Sequence, residues 1–520
     1  MRPKRLLAAA LALLMIFPLL ASCSDTGSTE TKANTSDTSS ADTVQNETET
    51  ETTRADIPDN LPKDLKFDGD TVNVYHFGSP QTLSYDTAGE LGGDVVLDAV
   101  YNRNITVEDR LGVKINYIAG SDDWNGFPAA VMTALNSGSS DYDVIMEESS
   151  RLWQQSIKGL YYNLMDKQYL DLDAPWWYGK MMEESNLDNS KRFFLNGDIC
   201  LTVMLYASAM YFDKPMFTDY FGDVNALYDA VLDGTWTYDK FGTYCRDVYT
   251  DVNGNGEADE GDIMGFRYEQ WGIPNYMSMS TGLTYITRDE EGFPVLNIMS
   301  EDGVKWSETL YKLLYTDNMS IFSNKENDKA TTFINKTSLF LPGQFVTAHE
   351  LRDVDFEYGI LPYPKLDESL DYMSGAGTAN GNGVAIPVSI APERVDMLCA
   401  VLEALCAESY RKVTPAWYDT ALKIKYSAGL IDAQMVDIIY EHINSPFIMM
   451  ADKELNLGSV FTRGVFGSTS EGAFASYYES QRKLLDKSLQ KAIDNYKKNR
   501  KLKKSPTGLF FYLRLKKERS

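Results

Sequence analysis

The stretch from Thr71 to Ile157 alternates strand and helix signals, and that alternation limits the possible folds more than any other feature of the chain. Thr71 to Phe77 (TVNVYHF) reads as a strand, Asp94 to Leu111 as a helix, and Val113 to Ile118 (VKINYI) as a second strand with apolar residues on alternate positions. Phe127 to Leu135 follows as helix, Tyr142 to Met146 (YDVIM) as a buried strand, and Arg151 to Ile157 as helix. Parallel strands need a crossover, and a helix of this length supplies one, so the pattern predicts a doubly wound α/β sheet. Ligands on such sheets sit beyond the carboxyl ends of the strands. The loops at His76 to Tyr85, Ala119 to Asn125 and Glu147 to Arg151 are therefore expected on the rim of a cleft.

The chain then changes character. A strand is read at Lys191 to Leu195, followed by a second region from Tyr206 to Thr331 with helices near Lys214 to Phe221, Tyr238 to Tyr249 and Gly303 to Tyr315. Strand signals return at Phe356 to Ile360 and Val384 to Ile386, and from Glu393 onward helices dominate, including Val395 to Ala407 and Asp432 to Ile443. Strands that return after a helical region predict lobes assembled from discontinuous segments, with several chain crossings between them.

The N-terminus is read as a processing signal. Arg2, Lys4 and Arg5 precede an apolar run from Leu6 to Leu20, too short for a stable membrane span. Leu20-Ala21-Ser22-Cys23 resembles a lipobox, which would make Cys23 the lipidated mature N-terminus. From Ser24 to Arg54 the chain is almost entirely Ser, Thr, Asp, Glu, Asn, Ala and Gly with almost no branched aliphatic side chain, so it cannot bury enough apolar surface to fold. It is expected to act as a solvated tether holding the folded body near the membrane.

The chain carries 49 Lys and Arg against 75 Asp and Glu, and loss of residues 1–22 removes three bases and no acid, leaving 46 against 75, or −29. Such a charge makes nucleic acid and anionic membrane surfaces poor partners. The exception is a basic tail over residues 497–520, where lysines and arginines flank the apolar Leu509 to Leu513. Beyond Cys23, the cysteines Cys200, Cys245, Cys399 and Cys406 form no CxxC pair and no zinc-ligand spacing, and are read as buried thiols.

Eight pieces occur in a telling order: YDVIM, KGLYYNL, APWW, KRFFLNGDI, TWTYDKF, the acidic loop at 251, FEYGILPYPKLDE and VAIPVS. In order and spacing they resemble the extracellular solute-binding proteins of ABC importers, in the family 1 group that handles mainly sugars. The resemblance implies a periplasmic-binding-protein-like α/β fold: two doubly wound lobes joined by a multi-crossover hinge, with the ligand cleft between them. The segment after APWW and the VAIP segment would be the crossovers. The corresponding division is 1–22 signal peptide, 23–58 tether, 59–205 first part of lobe 1, 206–331 first part of lobe 2, 332–385 return to lobe 1, 386–496 helical region completing lobe 2, and 497–520 basic tail. It implies capture of a sugar or oligosaccharide by a monomer that delivers it to a membrane permease, on the outer face of the cell membrane.

DVNGNGEADEGD, residues 251 to 262, matches a calcium-binding EF-hand loop. Asp251, Asn253, Asn255, the backbone oxygen of Glu257, Asp259 and Asp262 fall at positions 1, 3, 5, 7, 9 and 12, with Gly256 at the sharp turn. Position 12 is Asp rather than Glu, as in dockerin-like loops, and a structural Ca2+ is the expected occupant.

Sugars present apolar C–H faces and dense hydroxyls, so aromatic rings and polar side chains on rim loops are the candidate contacts. Trp124, Trp176, Trp177 and Trp271 are the candidate platforms, and Glu147, Asp198 and Gln344 the polar candidates; Trp236 and Trp417, at helix starts, are assigned to packing. The competing readings are a glycoside hydrolase and a surface adhesin. The chain has no GxSxG and no HExxH, and its three histidines, His76, His349 and His442, form no triad spacing. A non-enzymatic binding protein is the resulting expectation.

Overall fold

The structure is a computed structural model that describes residues 54–503 apart from 79–82, 189, 270–271, 323–327, 352, 377–380, 419–429 and 467–469. Cys23, Trp271, residues 1–53 of the signal and tether, and residues 504–520 of the basic tail lie outside the described residues.

The first sheet grows from local signals. Strand β1 (Thr71–His76) leads to helix α1 (Val95–Leu111), whose N-terminus is capped by the Asp94 carboxylate accepting from the Val96 and Leu97 amides. Gly112 ends that helix at φ 65, a left-handed conformation that an L side chain would adopt only at a cost. Strand β2 (Lys114–Ala119), helix α2 (Gly126–Ser137), strand β3 (Val144–Glu148) and helix α3 (Ser149–Ser156) complete the expected alternation. β1 pairs in parallel with both β2 and β3. The chain thus leaves β1 on one side and returns on the other, which opens a crevice at the carboxyl ends of β1 and β3.

The second sheet centres on β4 (Ser208–Asp213), all six residues of which are buried. This strand is absent from the sequence reading because SAMYFD shows no period-two alternation to detect. Asp213 caps helix α4 (Lys214–Phe221) and Thr237 caps helix α5 (Tyr238–Asp247). Strands β5 (Phe340–Gln344) and β6 (Tyr358–Leu361) flank β4 antiparallel, in the order β6-β4-β5. Pro342 and Gly343 lie inside β5, where an edge position tolerates a residue without an N–H. The second sheet is antiparallel because its strands come from three separated stretches of chain rather than from consecutive βαβ units.

Two short strands follow, β7 (Ser374–Gly375) and β8 (Asn382–Ala385). β8 joins the first sheet antiparallel to β3, giving the order β8-β3-β1-β2. The chain therefore passes from the first sheet to the second over 195–208, and it leaves the second region after Ala376 and is back beside the first sheet at Asn382. Leu195 bridges Val384 and Ala207 bridges Ala376, so the described ends of the two connections are paired with each other. Lys191 to Leu195, expected as a strand, contributes only that single bridge. Helices α6 (Pro392–Glu408) and α7 (Leu430–Glu441), strand β9 (Ile443–Asn444), which pairs with β7, and helix α8 (Ala473–Lys503) end the described chain. α8 runs through residue 497, where the sequence reading places the start of the basic tail; Lys497 pairs with Glu291 at 2.8 Å and lies over the Phe293 ring. Cys200, Cys245, Cys399 and Cys406 are buried free thiols. No helix among the described residues is long and apolar enough to cross a membrane.

Candidate ligand-binding site

On the first sheet, the rim is furnished by the loops after β1 and β2. The Asp123 carboxylate accepts from the amides of Asn125 and Gly126 and so closes the turn that carries Trp124. The Trp124 ring lies 4.9 Å from that of Phe77, and the residue is 52% exposed. It is an aromatic surface held by a tight turn and open to solvent, as a sugar platform requires.

The two glutamates ending β3 behave otherwise. Glu148 is buried, accepts from the Ser150 hydroxyl and pairs with Lys453 at 3.3 Å and Arg151 at 3.6 Å. Glu147 is 1% exposed; its Oε2 accepts from Gln155 Nε2 at 2.7 Å, while Oε1 has no hydrogen-bond partner among the described residues. Burial pushes the Glu147 carboxyl up to about 8. The expected ligand contact is thus turned into the protein, because a fully buried strand end points alternate side chains away from the rim.

Trp176 and Trp177 also require correction. They are 2% and 4% exposed, and both indole N–H groups donate to the single carboxylate of Glu403, at 3.1 and 2.9 Å. Glu403 belongs to α6, and burial pushes its carboxyl up to about 7 despite these donors. The pair fastens the APWW segment to α6, and neither ring offers a face to a ligand. Asp198 is likewise enclosed, accepting from Tyr178 at 2.7 Å and from Tyr440 at 2.9 Å, with its carboxyl raised by burial to about 6. Trp236 and Trp417 are buried as expected, and the Trp236 indole donates to the Pro362 carbonyl.

The chain passages are pinned by a polar cluster with no signal in the sequence. Buried Asp86 accepts from the Thr202 amide at 2.9 Å, the Thr202 hydroxyl at 2.6 Å and Asn382 Nδ2 at 2.8 Å. Thr202 lies on the first passage, and Asn382 ends the second. Arg103 of α1 donates to the carbonyls of Asp86, Thr87 and Ile199, and Asn196 donates to Ser149 and to the Asn382 carbonyl. Burial outweighs these donors and raises the Asp86 carboxyl.

Beside this cluster, at the start of β4, a polar and aromatic group gathers. Gln344 donates its Nε2 to the Tyr206 carbonyl at 2.7 Å, and its side chain caps the turn at Phe345 to His349. The Tyr206 phenol is raised by burial and by the nearby Asp86. Burial, then Glu269 and Tyr206, push the Tyr276 phenol up to about 12. Gln344 and Tyr206 are thus joined at the start of β4, and Glu269 and Tyr206 act on Tyr276 electrostatically. Gln344 is the one sequence-derived polar candidate in this group; the others escaped because 206, 269 and 276 belong to no motif.

The 251–262 loop is a compact exposed turn closed by a bridge between Thr250 and Ile263. Gly254 and Gly256 take φ 71 and 78. Asp251 accepts from the Gly254 and Gly256 amides, Asp259 from the side-chain amides of Asn253 and Asn255, and Asp262 from the Val252 and Asp259 amides. The oxygen-bearing side chains at positions 1, 3, 5, 9 and 12 are thus wound into one loop, a hard-oxygen set that fits Ca2+. It brings only three carboxylates, and among the described residues no group of three or more His, Cys, Asp or Glu side chains is gathered as a metal cluster.

No family model and no curated protein matches the chain. Solved structures do. The sugar-binding protein MalE from Xanthomonas citri matches with TM-score 0.55 at 11% identity, over 81% of this chain and 98% of that one. The GacH receptor of Streptomyces glaucescens, solved with acarbose, gives 0.50 at 12%, over 80% and 98%. A cyclo/maltodextrin-binding protein complexed with maltotetraose gives 0.50 at 12%, over 83% and 98%. At these identities the likeness speaks for the fold, and the fold is the periplasmic-binding-protein-like α/β arrangement of sugar-binding solute-binding proteins that the motif order resembles.

Proposed function

We propose that this chain is the substrate-binding component of an ABC importer, capturing a carbohydrate, and specifically an oligosaccharide, between two lobes. The observation that carries the reading is the meeting place of the two sheets. Bridges from Leu195 to Val384 and from Ala207 to Ala376 join the connections between the two sheets, the arrangement a short hinge needs, with the exposed Trp124 on the rim of the first sheet and Gln344 bound to Tyr206 at the start of β4 in the second. Contacts from both sides give a closed form the differential affinity that a shift in population requires. In this reading lobe 1 is built on the first sheet and lobe 2 on the second; the expected return of 332–385 to lobe 1 is corrected, since β5 and β6 pair with β4 and only β8 rejoins the first sheet, and α6 packs on α1 rather than completing lobe 2. Cys23 carries the lipid, the 251–262 loop holds a structural Ca2+, and the protein works as a monomer with a membrane permease and without chemistry on its ligand.

A thermal-shift screen against mono- and oligosaccharides tests this. A rise in melting temperature with unaltered sugar supports capture, since binding confined to the folded state stabilises it by mass action. Trp124→Ala should then weaken the active sugar about tenfold or more, from lost apolar contact worth about 1.5 to 3 kcal/mol. Release of shorter products would instead favour a glycoside hydrolase.

A further inference from the structure

The described chain opens with Arg54, and its side chain is received by a built site. The guanidinium lies 4.3 Å from the Tyr440 ring centroid, 5.0 Å from Tyr410 and 5.2 Å from Tyr418. Asp198 accepts from the Tyr440 hydroxyl behind it, and Asp437 stands near enough to interact electrostatically. Arg54 Nη1 has no hydrogen-bond partner among the described residues, and the cation lies against three ring faces with Asp198 adding an attractive field.

The walls of this box belong to different parts of the molecule. Tyr410 follows α6, on a segment packed against α1 of the first sheet, where Arg103 of α1 donates to Ser409. The residues after Arg54 are fastened to the same side: Arg411 donates to the Ile57 carbonyl and to Asp59, and Arg110 of α1 grips Asp59 through both terminal nitrogens at 2.6 and 2.7 Å. Tyr440 lies on α7, which packs against β6 of the second sheet. There, Asp432 of α7 takes Lys214 at 2.9 Å and the Tyr228 hydroxyl at 2.6 Å. Asp198, the floor of the box, sits on the first passage between the sheets. One arginine at the root of the N-terminal segment thus lies against rings carried by both sides and feels the charge of Asp198 on the connection.

We propose that Arg54 is a latch: docked in the Tyr410, Tyr418, Tyr440 box, it ties the root of the N-terminal tether to both lobes and sets the equilibrium between their relative positions. This rests on the two-lobed capture reading. It adds that a residue outside the cleft tunes ligand affinity, and that the tether is joined to the hinge rather than merely to a surface. Arg54→Ala empties the box. Arg54→Lys keeps the charge but loses the flat guanidinium that stacks on several rings.

The experiment compares full-length wild type, Arg54→Ala and Arg54→Lys. Hydrogen exchange at the Asp437 to Glu441 amides should quicken at least tenfold in Arg54→Ala, and ligand-free small-angle scattering should show a changed radius of gyration. For any sugar that binds wild type, the dissociation constant should change at least threefold in Arg54→Ala, with Arg54→Lys between the two. Methylguanidinium at millimolar concentration should restore the wild-type value to Arg54→Ala by refilling the box. Unchanged affinity and dimensions with only faster exchange would reduce the box to local packing and overturn the latch. If no sugar binds wild type, the capture reading fails, while scattering and exchange still decide the latch. Should Arg54→Ala fail to fold, Arg54→Lys and Tyr440→Leu carry the same measurements.

Discussion

Replacing Glu147 by glutamine should stabilise the protein at high pH and leave it nearly unchanged at low pH. The carboxyl is 1% exposed at the end of β3, with one hydrogen bond from Gln155 and one oxygen unpartnered among the described residues. Its rise from 4.5 to about 8 means that the folded protein holds the proton more tightly than the unfolded chain does. Stability from this group is therefore fully present below pH 4.5, is lost as pH rises through the window up to about 8, and stays lost above it. At about 1.36 kcal/mol per tenfold change in proton affinity, the full penalty of ionising the buried group is about 5 kcal/mol. The Glu147→Gln side chain keeps an acceptor for Gln155 and never ionises, so the variant should exceed wild type by about 2 to 5 kcal/mol at pH 9 and differ by less than about 1 kcal/mol at pH 4.5. Urea unfolding of both proteins at pH 4.5, 7 and 9 measures this, and the difference cancels the pH response of the remaining charges. Parallel pH profiles would refute the reasoning. A large loss of sugar affinity with unaltered stability would return Glu147 to the cleft.

Trp177→Ala should cost about 3 to 5 kcal/mol in unfolding free energy through the cavity it leaves and the donor it removes from Glu403, with sugar affinity of the surviving folded fraction unchanged. Chelation should lower the melting temperature and added Ca2+ should restore it, a difference that Asp251→Ala abolishes; identical melting curves with and without chelator would remove calcium from the 251–262 loop. Cys23→Ala should release the protein from membrane fractions or leave it unprocessed, as followed by lipid labelling; a lipid-labelled, membrane-bound variant would exclude this cysteine as the anchor.

Where order along the chain carries the information, the sequence was sufficient. The β1-α1-β2-α2-β3-α3 run could be read to within a few residues because each boundary has a local cause, such as the Asp94 cap and the left-handed Gly112. The burial of the thiols and the packing role of Trp236 and Trp417 follow from the same kind of local reasoning, and the structure adds that the four thiols are free. Tertiary structure decided the rest. β4 is buried on every residue and so loses the alternation that marks a half-buried strand. Trp176 and Trp177 are aromatic in a polar stretch whether they face a sugar or Glu403, and only the position of α6, more than 220 residues later, selects the second. Asp86, Thr202 and Asn382 are unremarkable one by one and become a pin because three distant segments cross at one point. Local backbone preferences are written in neighbouring residues, whereas burial and polar pairing depend on which remote segment supplies the missing face or donor.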